Sequence, residues 1–232
     1  MFALSKQLLT SLLAAAAIAT AATGPALAAA VAGDTYVYLV TNGFSREPRG
    51  QVSYRIERVE ADRIAASVTP DNPALGQAYE VIYTREGNWL RHPLASHDRP
   101  VHHEFAPAYP AYSFPLDPDK SWSVRVDATV PATGKRSSVR VDGTVLGTER
   151  IRVPAGEFDT IRIRRNTYAG DWDTFLRETN ITEIEWYAPA LGRAVRGESR
   201  SEWRDLSRCG RANCQPFQGD WNVYELVAVK PR

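Results

Sequence analysis

Cysteine, methionine and net charge are all scarce in this chain. Of 232 residues, two are Cys and one is Met, and the basic side chains number 28 against 27 acidic ones. A chain so nearly neutral carries no electrostatic signature for nucleic acid or an anionic membrane surface. Two cysteines cannot build a cluster site, and Cys209 and Cys214 in "RCGRANCQ" lack the two-residue gap of redox and zinc motifs. Also missing are a Gly-x-Ser-x-Gly elbow, a Ser-x-x-Lys pair and a phosphate-cradling glycine loop, so nothing points to a nucleotide cofactor or a standard hydrolase. No stretch beyond the N-terminus holds a helical period for more than a turn or two. The absences leave an exported or binding protein more readily than an enzyme.

The N-terminus supplies the compartment. "MFALSKQLLTSLLAAAAIATAATGPALA" has one lysine, an apolar run from Leu8 to Ala19, then Gly24, Pro25 and the small-x-small triplet Ala26-Leu27-Ala28. That order predicts a signal peptide over 1–28 and a periplasmic or secreted product. The apolar run is short of the ~20 residues that span a bilayer, so no stable membrane insertion is expected after cleavage. No cysteine near the cut offers a lipid anchor. Residues 29–232 are then one domain, with 27 basic and 27 acidic side chains once Lys6 is removed. In an oxidising compartment Cys209 and Cys214 read as a disulfide closing the 209–214 loop, worth about 2 kcal/mol.

What the sequence does have is alternation. "SWSVRVDATV" sets Trp122, Val124, Val126, Ala128 and Val130 against Ser123, Arg125, Asp127 and Thr129. "QVSYRIERV", "AYEVIYTR", "SSVRVDGTV" and "ITEIEWY" repeat the pattern. Period two with one wet face predicts antiparallel strands, joined by turns at 60–62, 85–88, 131–135 and 190–193. With too little helix to cover the apolar face, the sheet must cover itself. The expected fold is mainly β, a curved antiparallel barrel or clam of about ten strands. "IRVPAGEFDTIRIRR" places a turn over Val153–Gly156 and a bulge near Asp159. Beyond it, Ile161 and Ile163 point inward and Arg162 and Arg164 outward, facing Glu183 and Glu185 on the outer surface.

Three segments carry most of a resemblance. "FPLDPDKSW" holds Phe114, Pro115, Leu116, Lys120 and Trp122; "VPAGEF" spans Val153 to Phe158; "WYAPALG" holds Trp186 to Pro189, Leu191 and Gly192. In this order they resemble the DUF3108-like or TapB-like group of exported bacterial proteins of unknown function. Asp119 stands where that group usually has glycine. The resemblance implies a curved antiparallel sheet and brings no activity with it.

The segment from Pro93 to Pro118 holds six of the fifteen prolines and reads as a long Pro-rich loop, a candidate cover for the barrel. His92, His97, His102 and His103 lie in or beside it and are weak candidates for a metal, since no spacing matches a standard motif. Asp171 with Asp173, and Glu183 with Glu185, are the available carboxylate pairs, and neither has the context of a glycosidase or a calcium loop. The leading functional expectation is binding or carriage of a lipid or other apolar or amphipathic envelope molecule. Tyr109, Tyr112, Phe114, Trp122 and Trp186 are the candidate contacts, being rings of which the tyrosines and tryptophans also carry a polar tip. The same tyrosines and Phe114 would otherwise plug the barrel as core. The alternatives are an assembly partner of another envelope protein and, behind it, a hydrolase or metal-binding protein.

Overall fold

The computed structural model describes residues 30–94, 101–171, 177–205 and 215–232. The N-terminal segment expected to be a signal peptide, both cysteines, His97 and Asp173 lie outside them. Twelve antiparallel strands follow one another as β1 (Thr35–Asn42), β2 (Pro48–Val59), β3 (Arg63–Pro70), β4 (Tyr79–Thr84), β5 (Trp89–Leu94) and β6 (Val101–Tyr109), then β7 (Ser121–Val130), β8 (Lys135–Val153), β9 (Gly156–Asp171), β10 (Arg177–Ala188), β11 (Arg193–Asp205) and β12 (Phe217–Lys230). Each pairs with its neighbours in sequence, and β1 pairs with β12 to close the barrel. One 3-10 turn, Pro73–Leu75, is the helical element among the described residues.

The alternation that predicted strands also sorts their faces. On β2, Val52 and Ile56 are buried while Gln51, Arg55 and Arg58 are exposed. On β7, Val126 and Ala128 are buried between exposed Arg125 and Asp127. The outer wall is laced with ion pairs, among them Arg58 with Glu80, Glu80 with Arg91, and Arg91 with Glu104. Exposed pairs of this kind contribute little each; their effect is to keep the wall wet.

The Pro-rich segment departs from expectation. Its 101–109 portion is β6, paired with β5 from Leu94↔Val101 to Trp89↔Tyr109, so the connection proper runs only from Pro110 to Lys120. Alternation within "VHHEFAPAY" is broken by the irregular pairing between Trp89 and Arg91, which hid the strand behind its prolines. Asp119 takes a left-handed backbone, φ 63°. That is why glycine suits this position in the group the segment resembles, and Asp is among the few other residues that tolerate it.

The Pro154–Ala155 turn joins β8 to β9 as expected. The bulge does not lie at Asp159, which pairs regularly with Arg150; it lies across the ladder on β8, between Val145 and Gly147. Another irregularity falls on β11 at Val195, between the Trp186↔Arg196 and Tyr187↔Ala194 pairs, just after Arg193.

Apolar packing collects in two regions. One gathers Tyr36, Tyr38, Val40, Val52, Ile56, Val68 and Leu226 from β1, β2, β3 and β12. The other gathers Phe105, Tyr109, Val126, Val139, Val141 and Ile181 from β6, β7, β8 and β10, continued by Val145, Ile163 and Tyr187. Each encloses an arginine.

Candidate functional site: two enclosed arginines

On β9 the inward row continues past Ile163 to Arg165, Thr167 and Ala169, all buried. Arg165 therefore sits inside the wall with no exposed surface. Glu183 is its cross-strand partner on β10. Arg165 Nε donates to Glu183 Oε2 at 3.2 Å, and Nη2 and Nη1 grip Glu185 Oε1 and Oε2 at 2.6 and 3.0 Å. Nη1 also donates to the Ala111 carbonyl at 3.1 Å, and the Tyr112 hydroxyl donates to Glu185 Oε2 at 2.9 Å. This corrects the expectation that Glu183 and Glu185 lie on the outer face opposite Arg162 and Arg164. Both are largely enclosed, at 17% and 19% side-chain exposure, and both serve Arg165.

The two carboxylates are not equivalent. Burial raises Glu183, and the Arg165 charge and the hydrogen bonds from Arg165 and Tyr109 do not offset that, so its pKa lies above the ordinary value. Burial pushes Glu185 up as well, but the Arg165 charge, its fork of hydrogen bonds and the Tyr112 hydroxyl outweigh it, and Glu185 lies below. One cation thus faces one firmly ionised acid and one that holds its proton more readily.

Aromatics wall this cluster. Tyr109 has no exposed surface, bonds Thr167 Oγ1 at 2.6 Å and stacks on Trp89, with centroids 4.2 Å apart. Trp89 stacks in turn on His92 at 3.8 Å. Tyr112 and Phe114 pack on Tyr187 at 4.9 and 5.9 Å. Trp122 joins the same region, donating from Nε1 to the Pro110 carbonyl at 3.1 Å. Four of the five candidate contacts therefore gather at one end, and there they are packed as core. Trp186 stands apart, on the other face of β10, with Nε1 on Glu149 Oε1 at 2.8 Å and the Arg196 and Arg162 guanidinium groups over its ring.

The described histidines do not converge on a common point. His92 Nδ1 meets the Pro93 carbonyl at 2.7 Å, His103 Nδ1 meets the Val101 carbonyl at 2.8 Å, and His102 packs edge-on to Tyr79. Burial lowers His92 to about 4, so it is neutral near pH 7.

The second arginine has different company. Arg193 opens β11 directly after the Leu191–Gly192 turn, and its guanidinium lies 3.8 Å over the Tyr36 ring and 5.6 Å from the Tyr38 and Tyr54 rings. Tyr36 and Tyr54 are cross-strand partners, and Tyr38 is two residues on, so the three share one face of the sheet. Among the described residues Arg193 makes no ion pair, and its Nε is buried with no hydrogen-bond partner. Burial opposes its charge, and the surrounding tyrosines Tyr38, Tyr83, Tyr36 and Tyr54 outweigh it, leaving the guanidinium firmly ionised. The packing here is not closed. Tyr54, Tyr79, Tyr83 and Tyr224 belong to this core, yet they and Arg193 retain accessible surface.

No protein-family model and no curated protein matches the chain. Solved structures do. A candidate lipoprotein from Parabacteroides distasonis superposes with a TM-score of 0.53 at 16% identity, over 86% of this chain and 96% of that one. A candidate exported protein with a YmcC-like fold from Bacteroides fragilis gives 0.50 at 14% identity, over 87% and 97%. At these identities the likeness is one of fold: the chain is a closed antiparallel barrel similar to the YmcC-like fold of exported proteins and lipoproteins of bacteria.

Proposed function

We propose that this protein is a binding module of the bacterial cell envelope that holds one amphipathic small molecule against the inner face of β1, β2 and β4. The carrying observation is that tyrosines and an arginine of the core keep accessible surface inside a closed wall, where neighbours such as Val40, Val68 and Leu226 have none. A protein interior normally packs to the density of an organic crystal, so accessible surface left on polar-tipped rings of the core suits a ligand with an apolar body and a polar end. Export is what the N-terminal segment predicts, and the similar solved proteins are named as exported proteins or lipoproteins; both support a module that works outside the cytoplasm. Membership of the DUF3108-like group fits the three quoted segments and the exported, fold-sharing neighbours.

The earlier contact set shifts under this reading. Tyr109, Tyr112, Phe114 and Trp122 close one end of the barrel, and the ligand enters at the other. Docking of an envelope partner by strand addition has less support, because every strand of the closed barrel is already paired on both sides. Titration with N-phenyl-1-naphthylamine, a neutral apolar fluorophore, tests the proposal. Saturable enhancement at one site per chain is expected. No enhancement with folded protein would end the carrier reading and leave the assembly-partner reading in its place.

A further inference from the structure

We infer that Arg193 is the headgroup anchor of the site, so that the ligand is an amphiphile with one anionic group, a carboxylate or a phosphate. The inference rests on the binding reading above and narrows it to a charge. A half-buried guanidinium whose Nε is shut off from water is ordinarily paired with an acid. Arg165, in the same protein, has two carboxylates and a carbonyl. Arg162, Arg196 and Arg204 also leave Nε unbonded; of these, Arg162 and Arg196 have an acid in reach, Glu149 at 3.8 Å and Glu198 at 2.9 Å. Arg193 has tyrosine rings instead, which stabilise the cation through their faces without neutralising it.

The rest of the cage fits the same ligand. Burial raises the Tyr54 hydroxyl to about 12 and pushes Tyr83 upward, so both remain protonated donors for an anion. The Tyr38 hydroxyl already donates to the Ala194 carbonyl at 2.8 Å, which fixes its oxygen beside Arg193 and its ring beneath it. Ile56, Val81 and Leu226 are among the apolar side chains that share this core with the cage. A planar fork with an unbonded Nε–H favours carboxylate or phosphate over a point anion.

Calorimetry with three probes of equal chain length tests this at pH 8, below their critical micelle concentrations. They are dodecanoate, dodecyl phosphate and neutral monododecanoylglycerol. The wild type should bind at least one anionic probe tenfold or more tighter than the neutral one, which is the span of a charge-assisted hydrogen bond. The two anionic arms tell whether the natural headgroup is of the fatty-acid or the phosphate type. Arg193→Met should abolish the preference for the anionic probes. Equal wild-type affinity for neutral and anionic probes overturns the anchor and leaves the binding module standing. An anionic preference that survives in a folded Arg193→Met protein overturns it too. Absence of binding by all three overturns both readings. Should the variant not fold, the wild-type comparison of charged with neutral probe decides alone.

Discussion

Arg165 and Arg193 lie within one barrel wall and are handled in opposite ways. Arg165 comes from the middle of a long strand, where regular pairing sets Glu183 across from it and Glu185 two residues on. Its partners are supplied by the ladder itself, and the Pro110–Lys120 connection adds Ala111 and Tyr112. Arg193 comes from the edge of a turn, beside a register shift, and meets the tyrosine rings of β1 and β2 and the Tyr38 hydroxyl, with no acid among them. The first arrangement is complete without any ligand. The second has no acid partner among the described residues. A buried charge with its partners holds a fold in one arrangement; a buried charge without them is where a molecule from outside gains most.

The largest effect should come from breaking the completed cluster. Arg165→Met leaves two enclosed carboxylates facing each other without their cation, and a loss of about 3–5 kcal/mol follows, read by urea unfolding. A loss below 1 kcal/mol would mean that water already reaches Glu183 and Glu185, and the two arginines would then differ less than their partners suggest.

Half of this contrast was legible in the sequence. The alternation that set Ile161 and Ile163 inward also sets Arg165 inward, two residues further along the same row. Arg162 and Arg164 mask it, because they give the run the look of a solvated face. Glu183 and Glu185 were assigned to the wet side for the same reason: period two separates two faces but does not say which is dry, and charge is a poor guide when a cluster neutralises itself. Arg193 had no such signal. Its place depends on a register shift beside Trp186 and on a turn, neither of which alternation records. Twelve strands stood where about ten were expected, chiefly because prolines masked β6.

The next effect is on pH dependence and again belongs to the Arg165 region. His92 is neutral in the fold down to about 4, whereas in the unfolded chain it takes a proton near its ordinary 6.5. Protonation therefore favours unfolding between those values: this contribution is full above pH 6.5, declines as pH falls to 4, and levels below. The decline should be roughly 2–3 kcal/mol, and His92→Gln should remove most of it. Equilibrium unfolding at pH 7.5, 5.5 and 4 measures the slope in each protein. An unchanged slope would show that His92 is wetter than its stacking on Trp89 implies.

Glu183 should act with the opposite sign and more weakly. Its pKa is raised in the fold, so the folded chain holds a proton that the unfolded chain has released, and stability falls as pH rises from about 4.5 through the raised value. Glu183→Gln keeps the shape and the bond-forming oxygen while removing that titration. Above neutral pH the variant should match or exceed the wild type by up to about 1 kcal/mol. A loss larger than that would show both acids ionised around Arg165.

The smallest effect is expected where the comparison is sharpest. Arg193→Met removes a guanidinium that is enclosed without an acid, which favours the variant, and it removes the contacts of that guanidinium with three tyrosine rings, which favours the wild type. Cation–ring contacts of this kind contribute about 0.5–2 kcal/mol, and an unpaired buried charge opposes folding by a similar or larger amount. The methionine chain fills much of the vacated space along Tyr36 without a polar atom to satisfy. The two terms should cancel to within about 1 kcal/mol in the ligand-free protein, with m-value unchanged. Adding dodecanoate should then separate the proteins, raising the unfolding midpoint of the wild type and leaving the variant where it was. If Arg193→Met instead costs as much as Arg165→Met without ligand, Arg193 is a structural cation like its counterpart, and its tyrosine cage is complete as it stands.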